Sequence, residues 1–467
     1  MLDRRTLLKL AGVLPALRPQ SSRSGHPRRP GAQPNFIHIC TDDMRFDDLS
    51  VMPILRSTMR DRGVRFDNHF TPFPLCAPSR VGMLTGLLPH NHGVLHDKGA
   101  DGGYEAYRAL EANALPVWLS GAGYFVGHIG KFINGYDQVA PDHIPPGYAD
   151  WRAMSCGFGL YKDFTLNENG DQVFYGDGQY TTDVFVQKAL TFLATAPQPF
   201  ALFFWPNACH WPAVPADRDA GTFAHVKMPQ PPSFNEADVS DKPAYIRDLP
   251  LIEGHQIEHL INKWRTRAEC LQAVDRGLGA IVQALEDNGL AASTHILFTS
   301  DNGFMEGEHR IASAKNFLYD EGARVPLYWR EPSGYADECR QPASNIDATA
   351  TIVDLSGAKA GRLLDGLSLS PLLNDVRAPW KTAMLLQSLY TVGIATRDYR
   401  YIRWRKTGEV ELYDATADPY QLLNVAGRRA YAEIESACAQ ALETLLECVG
   451  ANCAWDGKFP PPPVRGA

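Results

Sequence analysis

The sequence predicts an α/β fold: a mostly parallel sheet sandwiched by helices, followed by a smaller antiparallel sheet that carries one helix. Three observations predict it. Short apolar runs such as Phe200–Trp205 alternate with segments of helical period, and strands spaced by helices pair in parallel with both faces covered. Near Leu367 the texture changes, and the strands beyond it are short and closely spaced. At 467 residues, with about 150 residues per domain as a prior, one large domain with an appendage is accommodated.

In order, Phe36–Cys40 reads as a buried strand between Pro34 and the polar Thr41-Asp42-Asp43. A helix is expected near 51–62 and a strand at 64–70, then a helix at 115–121, a strand at 124–129 and a helix at 182–194. Residues 213–250, rich in Pro, Asp and Ala, read as a surface excursion able to wall a pocket. A long helix at 257–288 precedes the strand His295–Thr299, a strand at 325–329 and a helix at 346–355. Short strands at 393–396, 399–405 and 411–413 and a final helix at 430–448 make the appendage. The expected division is an export signal and linker (1–33), the main α/β domain (34–366) and a C-terminal subdomain (367–467) ending in a loose Pro-rich tail.

Net charge is −8, with 45% hydrophobic and 21% charged residues, which excludes wholesale disorder and a nucleic-acid-coating surface. Residues 1–30 carry seven basic side chains and one acidic, so the remaining body is more acidic than the whole. An anionic substrate would need a local cation cluster or a metal. The start, Asp3-Arg4-Arg5-Thr6-Leu7-Leu8-Lys9-Leu10, resembles a twin-arginine export signal and implies a periplasmic or extracellular protein; a frayed basic tail is the plainer reading. Elsewhere no apolar run reaches the 18 or so residues of a membrane span. Nine cysteines include no Cys-x-x-Cys pair, so zinc-ribbon and thioredoxin-type sites lack support, and disulfide pairing cannot be read from the sequence.

In open α/β sheets ligands bind beyond the carboxyl ends of strands. There stand Asp42-Asp43, Gly130-Lys131, Cys209-His210 and Asp301-Asn302. Three carboxylates and an amide oxygen at one edge call for a hard cation, Ca2+ or Mg2+, with the lysine and histidine facing an anionic substrate. Each element alone also reads as a turn, a cap or a packed side chain. In Leu75-Cys76-Ala77-Pro78-Ser79-Arg80, Pro78 suits the first turn of a helix. Cys76 then lies just before a helix N-terminus with Arg80 one turn on, a nucleophile position beside a cation.

Cys76-x-Pro78-Ser79-Arg80 followed by Leu84-Thr85-Gly86 resembles the signature of the type I sulfatases. So do Asn35 to Asp43, Gly123 to Lys131, Ser300 to Gly303, Lys315 to Leu327 and Glu411 to Asn424, together nearly the whole chain. The resemblance implies an alkaline-phosphatase-like fold and a Cys76 oxidised to formylglycine by a formylglycine-generating enzyme. It also implies Ca2+ held by Asp42, Asp43, Asp301, Asn302 and the modified Cys76. Arg80, Lys131 and Lys315 would neutralise the sulfuryl oxygens of an anionic sulfate ester, a glycan above all, with His210 moving a proton.

Two positions depart from the family pattern. No histidine follows Lys131; the stretch Phe132-Ile133-Asn134 resembles the N-acetylglucosamine-6-sulfatase and heparan endosulfatase branch, and Asn134 is a candidate substrate contact. Cys209 replaces the usual proline before His210. His309 reads either as a substrate contact or as an exposed loop histidine. A phosphonate or phosphate ester hydrolase of the same superfamily, and a non-catalytic sulfated-glycan-binding protein, are the competing expectations.

Overall fold

The structure is a computed structural model that describes residues 33–156 and 159–461. The proposed export signal falls on residues outside the described ones. Sixteen strands are present among the described residues: β1 Asn35–Thr41, β2 Val64–Phe66, β3 His69–Phe70, β4 Phe125–Gly130, β5 Asp150–Cys156, β6 Phe164–Glu168, β7 Asp171–Tyr175, β8 Phe200–Trp205, β9 Thr294–Ser300, β10 Leu327–Arg330, β11 Asp337–Cys339, β12 Ala343–Ser344, β13 Ala383–Gln387, β14 Thr391–Thr396, β15 Tyr399–Trp404 and β16 Val410–Asp414.

Ten of them form one sheet in the order β11-β2-β10-β9-β1-β8-β4-β5-β6-β7. Its centre, β9-β1-β8-β4-β5, is parallel, and antiparallel pairs flank it on both sides. Successive residues of the central strands feed opposite faces, as the two-residue strand period requires. Ala201, Phe203 and Trp205 of β8 pack on one side with the helices Cys76–Thr85 and Leu115–Gly121. Phe200, Leu202 and Phe204 pack on the other with Thr181–Thr195 and Gly254–Asp287.

The antiparallel sheet β13-β14-β15-β16 is also present. One face, through Leu385, Ile394, Tyr401 and Leu412, covers the helix Ala432–Leu446. The other, through Met384, Ala395, Ile402 and Tyr413, packs on Phe317, Leu318 and Tyr319. The small sheet therefore braces the segment that carries Lys315.

Several expectations need correction. The helix expected near 51–62 is broken into Asp48–Val51, Pro53–Thr58 and Arg60–Arg62, and the strand expected at 64–70 is two strands in different sheets. The meander β5-β6-β7 had no counterpart in the sequence reading, because its polar, half-exposed outer strand lacks an apolar run. Among the nine cysteines there is one disulfide, Cys448–Cys453. Ahead of the Pro-rich run near residue 460, Thr382 bonds the carbonyls of Trp455 and Gly457 and holds the chain to that point.

Candidate active site

The four polar strand ends meet because the strands stop in register. Thr41 pairs with Ser300, Ile39 with Phe204, and Gly130 with Trp205. Beyond that line, the N–H of Asp42 donates to the carbonyl of Ala208 and the N–H of Cys209 to that of Asp42 (both 2.9 Å), while the N–H of Lys131 donates to Trp205 (2.8 Å). Gly130 has φ +114°, and a Cβ there would lie 2.1 Å from the Trp205 carbonyl, so only glycine lets β4 deliver Lys131 this close to β8.

Cys76 is the first residue of the helix Cys76–Thr85, one place later than the sequence reading set it, and Pro78 is third. Leu75 before it is extended and offers no capping side chain; Asp97 caps the helix from outside, accepting the N–H of Ala77 at 2.9 Å. The fully buried Sγ of Cys76 faces Asp42 Oδ1 at 3.5 Å, Asp43 Oδ1 at 3.8 Å and Lys315 Nζ at 3.0 Å.

The carboxylates are not left to repel one another. Each has a cation beside it: Asp42 pairs with Lys131 and more loosely with Arg80 Nη2 at 3.9 Å, Asp43 with Lys315 at 2.6 Å, and Asp301 with Arg80 Nε at 2.8 Å. Arg80 Nη1 donates to the carbonyls of Lys131 and Phe132, and its Nη2 has no hydrogen-bond partner among the described residues. Asn302 donates to Asp43 Oδ1 at 2.7 Å, and its own buried Oδ1 has no hydrogen-bond partner among the described residues. Asp301 Oδ1 accepts the main-chain N–H groups of Asp43 and Asn302, the former holding Asp43 at its left-handed φ of +66°.

Electrostatics follow from this crowding. Burial raises the Cys76 thiol well above its ordinary value despite Lys131 and Lys315, so an unmodified cysteine is a protonated, weak nucleophile here. Burial also opposes ionisation of Asp43, but Lys315, by charge and hydrogen bond, and Lys131 outweigh it and hold the carboxyl well below the usual range. Desolvation works against charge on Arg80 and Lys131, yet Asp301 and Asp42 keep both cationic. His210 Nε2 lies 3.8 Å from Asp43 Oδ2 with 28% of the side chain open to solvent. Desolvation lowers the imidazole below its ordinary value, Asp43 opposing and Lys315 adding to it, so the ring is neutral and able to accept a proton.

A cation fits this donor set. One ligand atom each from Asp42, Asp43, Cys76 and His210 lie within 4.8 Å of one another, and Asn302, bonded to Asp43, adds an amide Oδ1 without a partner among the described residues. Asn134 keeps a buried Oδ1 without a partner among the described residues. His309 is fully buried, which removes the exposed-loop alternative of its two readings: its Nδ1 meets Glu236 at 2.6 Å and its ring lies 4.2 Å from that of Tyr319.

The sequence reading missed Arg267. From the middle of the helix Gly254–Asp287 its Nη2 donates to the main-chain carbonyl of Asp43 (2.5 Å) and approaches Cys209 Sγ (3.4 Å), while Nη1 pairs with Glu306 (2.5 Å). A signal was present: Leu260, Trp264, Leu271 and Val274 trace one apolar stripe, and Arg267 sits on it. An arginine on a buried helix face must find anions.

Comparison with known proteins adds the following. The family model described as Sulfatase matches residues 34–358, and N-sulphoglucosamine sulphohydrolase, C-terminal, matches 307–447. The chain is 29% identical to an arylsulfatase of Volvox carteri over 90% of its own length and 76% of the relative's. It is 28% identical to the N-acetylglucosamine-6-sulfatase of Homo sapiens over 92% of its length and 87% of the relative's. Two further relatives are longer, the chain spanning 55% and 34% of them. The same fold occurs in the structure of BT4656 in complex with D-glucosamine-2-N,6-O-disulfate, with TM-score 0.74 and 24% identity over 88% of this chain and 97% of that one.

Proposed function

The chain belongs to the sulfatase family, and from that premise we propose that it hydrolyses an O-sulfate ester of a carbohydrate, an amino sugar sulfated at O6 or a related glycan fragment. One observation carries the reading: Lys315, Asp42 and Asp43 converge on the Cys76 Sγ, with Lys131 and Arg80 paired to carboxylates of the same cluster. In this reading Cys76 is converted to formylglycine before or during export, and Asp42, Asp43, Asp301, Asn302 and residue 76 hold Ca2+. The formylglycine hydrate would supply an oxygen nucleophile where the buried, protonated thiol is a weak one, and Ca2+ held there would draw charge from the sulfuryl group.

The remaining work falls to side chains. Lys131, Lys315 and the unfilled Nη2 of Arg80 bind the sulfuryl oxygens and stabilise the charge that grows on them, about 3 kcal/mol per well-placed donor. Neutral His210, at the solvent side of Asp43, moves a proton at the leaving oxygen or the attacking hydroxyl. Asn134, next to the Ile133 that stands where the family's usual histidine would, offers to the sugar an Oδ1 without a partner among the described residues. Among the described residues no helix is long and apolar enough to cross a membrane.

The test is mass spectrometry of the tryptic peptide containing Cys76, from protein made in its own host, beside parallel assays with aryl sulfate and aryl phosphonate esters. An aldehyde at residue 76 and faster sulfate release support the reading. A persistent thiol moves the glycan-binding alternative forward, and faster phosphonate hydrolysis moves the activity to phosphoryl transfer.

A further inference from the structure

Two exposed tyrosines pack against Phe317, two residues from Lys315. Tyr245 and Tyr390, far apart in sequence, are 49% and 48% exposed, with ring centroids 6.4 Å apart and planes 20° from parallel. Both rest on buried aromatics: Tyr245 on Trp404 (5.3 Å) and Phe317 (5.8 Å), Tyr390 on Phe317 (6.0 Å). Stacked rings that keep half their surface in water, on a base of buried rings, form a fixed apolar face rather than a loose side-chain cluster.

The position is tied to the chemistry. Phe317 is two residues from Lys315, and the N–H of Asn316 between them bonds Pro74, two residues before Cys76. Gln387, at the end of β13 and three residues before Tyr390, bonds the carbonyl of Pro72. The turn after β15 closes the patch: Arg405 donates its main-chain N–H to the Tyr390 carbonyl and its Nε to Ser388, while Glu409 accepts the N–H of Ala244 beside Tyr245. Arg405 and Lys406 are exposed, and among the described residues neither forms an ion pair, although the protein as a whole is acidic. An aromatic face with uncompensated cations at its rim complements a sugar ring that carries anionic substituents: the C–H face of a pyranose packs on the rings, and a sulfate or carboxylate meets the cations.

We propose that Tyr245 and Tyr390, with Arg405, form a second sugar subsite that binds the neighbouring residue of a sulfated oligosaccharide whose ester lies at Cys76. The proposal rests on the hydrolase reading above and gives it a substrate class: sulfated oligosaccharides in preference to the isolated sulfated monosaccharide.

The experiment compares wild type with Tyr390→Ala, Tyr245→Ala, Arg405→Ala and the conservative Tyr390→Phe. Substrates are a sulfated glycosaminoglycan tetrasaccharide and a small aryl sulfate. Direct binding of the tetrasaccharide to the Cys76→Ser protein is measured by calorimetry. In the alanine variants KM for the tetrasaccharide rises tenfold or more with kcat within twofold, the aryl sulfate is unaffected within twofold, and Tyr390→Phe behaves as wild type. Binding to Cys76→Ser weakens by the same factor when Tyr390→Ala is added, and the salt dependence shrinks with Arg405→Ala. Equal losses on both substrates, or no change on the tetrasaccharide, overturn the proposal. If wild type releases no sulfate from any ester, the hydrolase reading fails, and the binding arm still decides whether the tyrosine face holds a sulfated glycan.

Discussion

Lys315 Nζ lies 3.0 Å from Cys76 Sγ and 2.6 Å from Asp43 Oδ1, although 239 residues separate the lysine from the cysteine. The small antiparallel sheet maintains that contact, because Met384, Ala395 and Ile402 pack on Phe317 and Leu318 immediately after the lysine. In the proposed hydrolysis, a cation held so near residue 76 would act on charge that grows there.

Replacing this cation should therefore cost catalysis more than binding. Lys315→Ala is expected to lower kcat on an aryl sulfate by 100-fold or more, about 3 kcal/mol, with the protein still folded by circular dichroism. A loss under fivefold would remove Lys315 from the machinery.

Ca2+ removal provides an independent check. Asp42, Asp43, Asp301 and Asn302 are assembled only in the folded chain, so a bound cation adds stability, about 2.7 kcal/mol when present at 100 times its Kd. Differential scanning fluorimetry after chelation should show a lower Tm that CaCl2 restores and MgCl2 restores less well. No response to either ion would sink the metal assignment.

Arg267 joins the Asp43 carbonyl to Glu306 and Asp48 in a buried network. Arg267→Met leaves these acids without their cation and is expected to destabilise by about 3–5 kcal/mol in urea titrations, because breaking one side of a buried pair strands the other. An unchanged midpoint would mean the network relaxes or takes in water.

Acid should unfold the protein through its buried histidines. Burial lowers His92 and His128 to about 3 and His69 to about 4, so each is neutral when folded and takes up a proton when unfolded below its ordinary value near 6.5. Their contribution is complete above pH 6.5 and is lost as the pH falls from 6.5 toward 4, at up to about 1.4 kcal/mol per pH unit for each histidine. Tm measured between pH 7.5 and 5 should fall along this course, less steeply in His92→Gln. An identical slope in the variant would clear His92 of the effect.

The sequence alone determined which residues end the parallel strands, and hence which could meet. Local periodicity marks a buried strand and the polar residue after it, and parallel pairing brings those ends to one edge, so Asp42, Lys131, His210 and Asp301 were legible before any coordinates. The Cys-x-Pro-Ser-Arg pattern likewise marked Cys76 and Arg80. What the tertiary structure decided are relations that no local pattern encodes: the matching of three carboxylates by three cations, and the seating of Lys315 by a sheet formed some 70 residues later. To these belong the burial of His309 against Glu236 and Tyr319, and the reach of Arg267 across 224 residues to the Asp43 carbonyl. The physical reason is that strand and helix periods report which face a side chain takes, whereas its partner is chosen by how distant elements pack, and buried charge has to be matched wherever that packing leaves it.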